Sequence, residues 1–241
     1  MSKATIVIDL AFSTRKGQHG RRAHGYSELK ARLKYFQYRR DHDGHIPQDY
    51  GAERWTDRGL GNNWGEILSN CRQLSSKKVL AWSLVISPAP DLMALVPEAH
   101  RPTLVKSVTE QIVESYFNER GVEVPEYAYA LHERLTNKGD RMQQLHTHVI
   151  LPGTAPVLEG GREPFYIRQR KGQLEQLQHV TTATFEAALD KSIGPTWRQL
   201  RGIEVPALEK SISQPENADI DQMNEPEADR DIPRSAAREI E

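Results

Sequence analysis

The stretch Leu145-His146-Thr147-His148-Val149-Ile150-Leu151 decides how this chain is read. It is an apolar, β-branched run with two histidines one residue apart, a composition that favours a strand. Side chains in a strand alternate faces, so His146 and His148 point the same way. Upstream, Tyr127-Ala128-Tyr129-Ala130-Leu131-His132 reads as a second strand, and Asn137-Lys138-Gly139-Asp140 between them has the composition of a turn. Folding the chain there sets His132 opposite His146. Three imidazoles then converge on one face of an antiparallel pair. Apolar side chains would fill that face without a desolvation penalty, so the pattern points to metal ligation with positions left open, as in a catalytic site. By softness alone, imidazole suits Zn, Mn, Ni or Fe.

Composition bounds the molecule that carries this face. With 241 residues and 37% apolar content the chain can bury a core. The longest apolar runs, Ala4 to Phe12 and Val79 to Ile86, are too short to span a bilayer, and the first residues lack a signal-peptide pattern. The expectation is a soluble, cytoplasmic protein with no membrane partner. A single Cys71 excludes an internal disulfide framework and a cysteine-based zinc site.

The net charge of -1 hides an asymmetry. Residues 211–241 carry nine acidic and three basic residues and no helical or strand period, so the expected organisation is a domain over 1–210 and an acidic, disordered tail over 211–241. Between Arg15 and Arg40 stand nine Lys or Arg against one acid, Glu28. Such a patch suits phosphate contact, and Arg21, Arg22, Arg32, Arg39 and Arg40 are its candidate DNA-binding residues, with Tyr26, Phe36 and Tyr38 interleaved for base stacking. Arg168, Arg170 and Lys171 form a second basic cluster for duplex backbone.

The remaining elements follow from periodicity. Ala4 to Leu10 is a strand, and a helix capped by Ser27 runs to about Arg40 with Leu29, Leu33 and Phe36 as its buried stripe. Tyr35 lies off that stripe, beside Arg32 and Arg39. Residues 42–76 read as irregular apart from a short helix near Trp64 to Leu74. Leu80 to Ser87 is a buried strand, Pro102 to Arg120 an amphipathic helix, Phe165 to Arg168 a short strand, and Leu174 to Ile193 a helix followed by a turn of helix at Trp197 to Leu200. Interspersed strands and helices around an antiparallel hairpin give the class α+β, a central antiparallel sheet flanked by helices.

Three segments in this order resemble the plasmid mobilisation relaxases, the His-hydrophobe-His endonucleases that nick one DNA strand at a transfer origin. Leu33-Lys34-Tyr35-Phe36-Gln37 is similar to the family's nucleophile helix, Ser83-Leu84-Val85-Ile86-Ser87 to its middle strand, and Ala130-Leu131-His132 with His146-Thr147-His148-Val149-Ile150 to its metal-binding hairpin. The resemblance implies that Tyr35 attacks a scissile phosphate on single-stranded DNA to give a 5′-phosphotyrosyl intermediate, with Tyr26 and Tyr38 as alternative nucleophiles. It implies a divalent metal, Mg or Mn, on His132, His146 and His148, with Zn or Ni as alternatives. Where the family carries an acid two residues after the first histidine, this chain has Arg134, and Glu133 or Asp91 are the candidate substitutes. Accessory transfer-origin proteins and a helicase or coupling protein are the implied partners, since 241 residues leave no room for a helicase motif. Two alternatives stand beside this reading: a non-catalytic DNA-binding accessory protein of the same fold, and a metal-dependent hydrolase built on a parallel barrel.

Overall fold

Six stretches of the chain order into one main sheet, in a computed structural model that describes residues 4–14, 23–38, 54–135, 142–157, 160–164 and 172–201. In chain order the strands are β1 (Ile6–Thr14), β2 (Ala23–His24), β3 (Trp55–Arg58), β4 (Val79–Pro88), β5 (Tyr127–Leu135), β6 (Gln143–Pro152), β7 (Ala155–Pro156) and β8 (Arg162–Glu163). The helices are α1 (Tyr26–Tyr38), α2 (Trp64–Gln73), α3 (Pro90–Met93), α4 (Arg101–Asn118), α5 (Gln173–Ile193) and α6 (Trp197–Leu200). The main sheet has the order β2-β1-β4-β6-β5-β3, antiparallel at every pairing except the two-residue edge β2, which runs parallel to β1; β7 and β8 pair separately. This is the expected α+β class. An antiparallel sheet of this order is incompatible with the parallel barrel that the hydrolase alternative requires.

The two faces of the sheet are filled differently, and that difference makes the site. On one face Leu84 and Ile86 of β4, Tyr127 and Tyr129 of β5, and Val149 and Leu151 of β6 meet Val105, Val108, Ile112 and Val113 of α4 and Leu177, Val180 and Phe185 of α5. These large apolar groups form the main core, whose burial supplies the bulk of the folding free energy. On the other face the sheet presents small side chains, Ala81, Ala128 and Ala130, and Leu29, Leu33 and Phe36 of α1 lie close against them with Ile67, Leu68 and Cys71 of α2. Small residues on the sheet let α1 approach it closely.

Two expectations change here. Trp55–Arg58, inside the segment read as irregular, is an edge strand paired with β5 from Tyr127 to Ala130. A four-residue strand held by a single neighbour shows too little alternation to stand out in sequence. The start of α1 is also two residues earlier than a Ser27 cap would put it: Leu29 N–H donates to the Gly25 carbonyl at 3.0 Å, and Glu28 reaches back to accept from Gly25 N–H at 2.9 Å. That backward bond is half of a capping box, which satisfies an otherwise orphaned donor. The Asn137–Asp140 turn, the Phe165–Arg168 strand and the tail over 211–241 lie outside the described residues.

Candidate metal centre

The register of β5 on β6 places His132 directly opposite His146 and Ala130 opposite His148. Paired residues of an antiparallel ladder share a face, so all three histidines stand on the α1 side. One ring nitrogen from each lies within 4.8 Å of the others. The ring centroids are 4.8 Å (His132 to His148), 5.0 Å (His146 to His148) and 5.7 Å (His132 to His146) apart, each pair edge-to-face. His132 and His146 are buried and His148 half-buried.

The backbone contacts of two of these rings favour one tautomer of each neutral imidazole. His132 Nε2 lies 2.8 Å from the carbonyl oxygen of Phe36, and a carbonyl only accepts, so the bond needs the proton on Nε2 and leaves Nδ1 as the electron-pair donor. His146 Nδ1 lies 3.4 Å from the carbonyl oxygen of Gln144. By the same reasoning Nε2 is the donor atom of His146. Backbone acceptors behind ligating imidazoles set the tautomer and ring orientation, the role often taken by a carboxylate. Three imidazoles converging from two strands, each held from behind or stacked, would in their neutral form fit a divalent ion of borderline softness.

Helix α1 is fastened onto this cluster at its C-terminal end. The Phe36 ring stacks on His148 with centroids 3.9 Å apart and planes 18° from parallel, and it meets His132 edge-on at 5.8 Å. Arg54, just before β3, donates to the carbonyls of Phe36 and Gln37 at 3.0 and 3.2 Å. Gln37 in turn accepts from Trp64 N–H at 2.7 Å, tying α1 to the first residue of α2. Free carbonyls at a helix end need such partners. From sequence Phe36 is a packing and base-stacking candidate of the nucleophile helix, its contact with the histidines is not foreseen, and Arg54 carries no signal; no periodicity marks a residue whose role is to bond a carbonyl 17 positions away.

The three tyrosines of α1 sort by position. Tyr35 adjoins Phe36 and is 55% exposed. Tyr38 lies about 200° around the helix from Phe36. Tyr26 begins the helix, about 15 Å along its axis from Phe36, with the Arg72 guanidinium 5.4 Å from its ring centre. Of the basic candidates, Arg32 is described: it is half-buried one helical turn from Tyr35, where burial lowers its pKa while the charges of Glu28 and Asp9 act the other way. Asp9 is itself an unforeseen member of this face, since Asp9 pairs with Val85 and Val85 with His148 across the sheet. In sequence it registered only as a break in an apolar run. Arg21, Arg22, Arg39, Arg40, Arg168, Arg170 and Lys171 lie outside the described residues.

Neither candidate acid serves the histidines. Glu133 faces the opposite side of the sheet and accepts from Gln143 Nε2 at 2.9 Å, as the period of two dictates for a neighbour of His132. Asp91 pairs with Arg201 at 2.7 Å. Among the described residues, no helix is long and apolar enough to cross a membrane.

No family model matches the chain, and no curated protein matches it. Among solved structures it is similar to the conjugative relaxase TrwC in complex with oriT DNA in its metal-bound form, at 15% identity over 80% of this chain and 70% of that one, with a TM-score of 0.48. It is similar to TrwC complexed with a 27-mer DNA comprising the recognition hairpin and cleavage site, at 12% identity over 80% and 69% of the two chains and a TM-score of 0.48. A protein described under the molecular basis of vancomycin resistance transfer in Staphylococcus aureus matches at 14% identity over 84% of this chain and 96% of that one, with a TM-score of 0.40.

Proposed function

We propose that this protein is a DNA relaxase that nicks single-stranded DNA at a transfer origin, with Tyr35 as nucleophile and His132, His146 and His148 as the holders of a divalent metal. The observation that carries this reading is the seating of Phe36: its carbonyl binds one histidine and its ring covers another, so the residue next to Tyr35 is part of the wall of the imidazole cluster. The order of motifs supports the same reading, because the tyrosine helix packs on the sheet face that carries the histidines of the hairpin, with the middle strand beside that hairpin in the sheet.

Tyr35 is exposed to solvent near the C-terminal end of α1. Its phenolic oxygen forms a bond to phosphorus and gives up its proton, while the bond from phosphorus to the 3′ oxygen breaks and that oxygen takes a proton. The products are a 5′-phosphotyrosyl ester and a free 3′-hydroxyl, and the ester retains the capacity for rejoining. A divalent ion on the three imidazoles supplies charge neutralisation at the phosphate oxygens. Arg32, one turn before Tyr35 on α1, adds a positive charge to this end of the helix for the incoming phosphate. On the family resemblance we assign the ion as Mg or Mn, with Zn or Ni, which suit imidazole better by softness, as the alternatives; we assign the catalytic unit to residues 1–210 and partner recruitment to the acidic segment 211–241, with helicase or coupling functions on other chains.

Incubating the protein with Mn²⁺ and end-labelled single-stranded oligonucleotides tiling transfer-origin DNA tests this. The expected result is fragments with 3′-hydroxyl ends, abolished by chelator and by His146→Ala. Retention of the oligonucleotides without cleavage in any metal would overturn the enzyme reading and leave a DNA-binding accessory protein.

A further inference from the structure

We propose that Arg134 is a phosphate-binding fork of the site, held in position by Gln144 and Ser87. This inference rests on the reading that the histidine face acts on a DNA strand, and names the residue that grips that strand beside the metal centre. Two residues after His132 on β5, Arg134 shares its face, and its cross-strand partner is Gln144, two residues before His146 on β6. The pair forms the next register step beyond His132 and His146, about 7 Å along the strands.

Arg134 is exposed, yet its guanidinium is not left to wander. Its Nε donates to Gln144 Oε1 at 2.7 Å, and Gln144 Nε2 donates to Ser87 Oγ at 3.0 Å on β4. The serine bond uses the amide nitrogen, so the amide oxygen faces the arginine and the relay has one orientation. Three adjacent strands thus contribute one residue each to a row that ends in a cation. With Nε committed to Gln144, the guanidinium presents its two terminal nitrogens, the edge that matches two oxygens of a phosphate. A carboxylate at this position would repel a phosphate approaching the histidines; a guanidinium attracts it. The ligand class is therefore a backbone phosphodiester of single-stranded DNA next to the one at the metal centre.

Fluorescence anisotropy with a labelled oligothymidylate in Mn²⁺ tests this, with Mn²⁺ affinity measured by calorimetry on the same samples. Arg134→Gln and Arg134→Lys should each weaken DNA binding on the order of tenfold, because a single charged fork is lost in both, with Gln144→Ala in between. Arg134→Gln should also reduce the salt slope by about 0.7, one phosphate contact, and leave Mn²⁺ affinity unchanged. Wild-type affinity in Arg134→Gln, or full retention in Arg134→Lys, would overturn the fork while leaving the relaxase reading intact. A fall in Mn²⁺ affinity would overturn it by assigning Arg134 to the support of the histidines. Failure of the wild-type protein to bind the oligonucleotide would overturn both.

Discussion

Thr147, between the two histidines of β6, is fully buried among apolar side chains, and its hydroxyl lies 2.8 Å from that of Thr109 on α4. Thr109 donates to the Val105 carbonyl at 2.8 Å, which uses its only proton, so Thr147 is the donor in the pair. The two threonines are therefore not equivalent. Thr109→Val strands a buried donor on Thr147 and should cost about 1–3 kcal/mol in denaturant unfolding, whereas Thr147→Val removes that donor and should cost under about 1 kcal/mol. Equal costs, or the reverse order, would contradict this assignment of the proton. The histidines themselves were legible in sequence because a period of two is enough to put them on one face. Their supports were not: the Phe36 carbonyl and the Gln144 carbonyl belong to the backbone, which carries no residue-type signal, and Asp9 comes to the histidine face only through the register of β1 on β4.

At the scale of elements, long buried segments announced themselves and short edge ones did not. The strands β4, β5 and β6 and the helices α2, α4 and α5 follow from their apolar periods, whereas β3 depends on the neighbour it pairs with. That strand matters, because Arg54 beside it bonds the end of α1, and Trp55 meets Phe36 edge-on at 6.3 Å. The join between β6 and β7 shows how closely the sheet is packed at its other end. A Cβ added at Gly153 would lie 2.1 Å from the Val79 carbonyl oxygen and 2.7 Å from Ser76 N, inside the turn where Ser76 N–H donates to Val79 O. Both are backbone atoms and cannot yield as a side chain does. Gly153→Ala should therefore destabilise the fold by about 1–3 kcal/mol, seen as a lower melting temperature. A variant as stable as the parent would mean that this turn is free to move away from β6.

Across the whole molecule, ion pairs outside the site tie peripheral segments to the core. Arg162 on β8 makes two bonds to Glu126, at 2.9 and 2.7 Å, and bonds Thr154. Burial alone would raise the Glu126 pKa, but these bonds and the Arg162 charge outweigh it and hold the carboxyl below its usual range. Asp190 behaves alike under Arg198 and Trp197. A carboxylate whose pKa is lowered by folding stabilises the protein above the ordinary carboxylate range, and that contribution is lost as the pH falls through the lowered value. The melting temperature should thus drop as the pH is lowered below the ordinary carboxylate range of about 4. Arg162→Gln should melt lower at pH 7 and show a smaller drop; an unchanged drop would remove Glu126 from the account. The division of labour between the sheet's two faces joins these scales, with large residues and two long helices on one side and small residues, α1 and the histidines on the other. The central claim is that α1 delivers a tyrosine to the metal-binding face. Its most direct test is mass spectrometry of the proteolysed protein after reaction with Mn²⁺ and a cleavable oligonucleotide. The account predicts one peptide carrying a 5′-phosphorylated DNA fragment on Tyr35, absent from Tyr35→Phe; a fragment on Tyr26 or Tyr38, or an adduct that survives Tyr35→Phe, would contradict it.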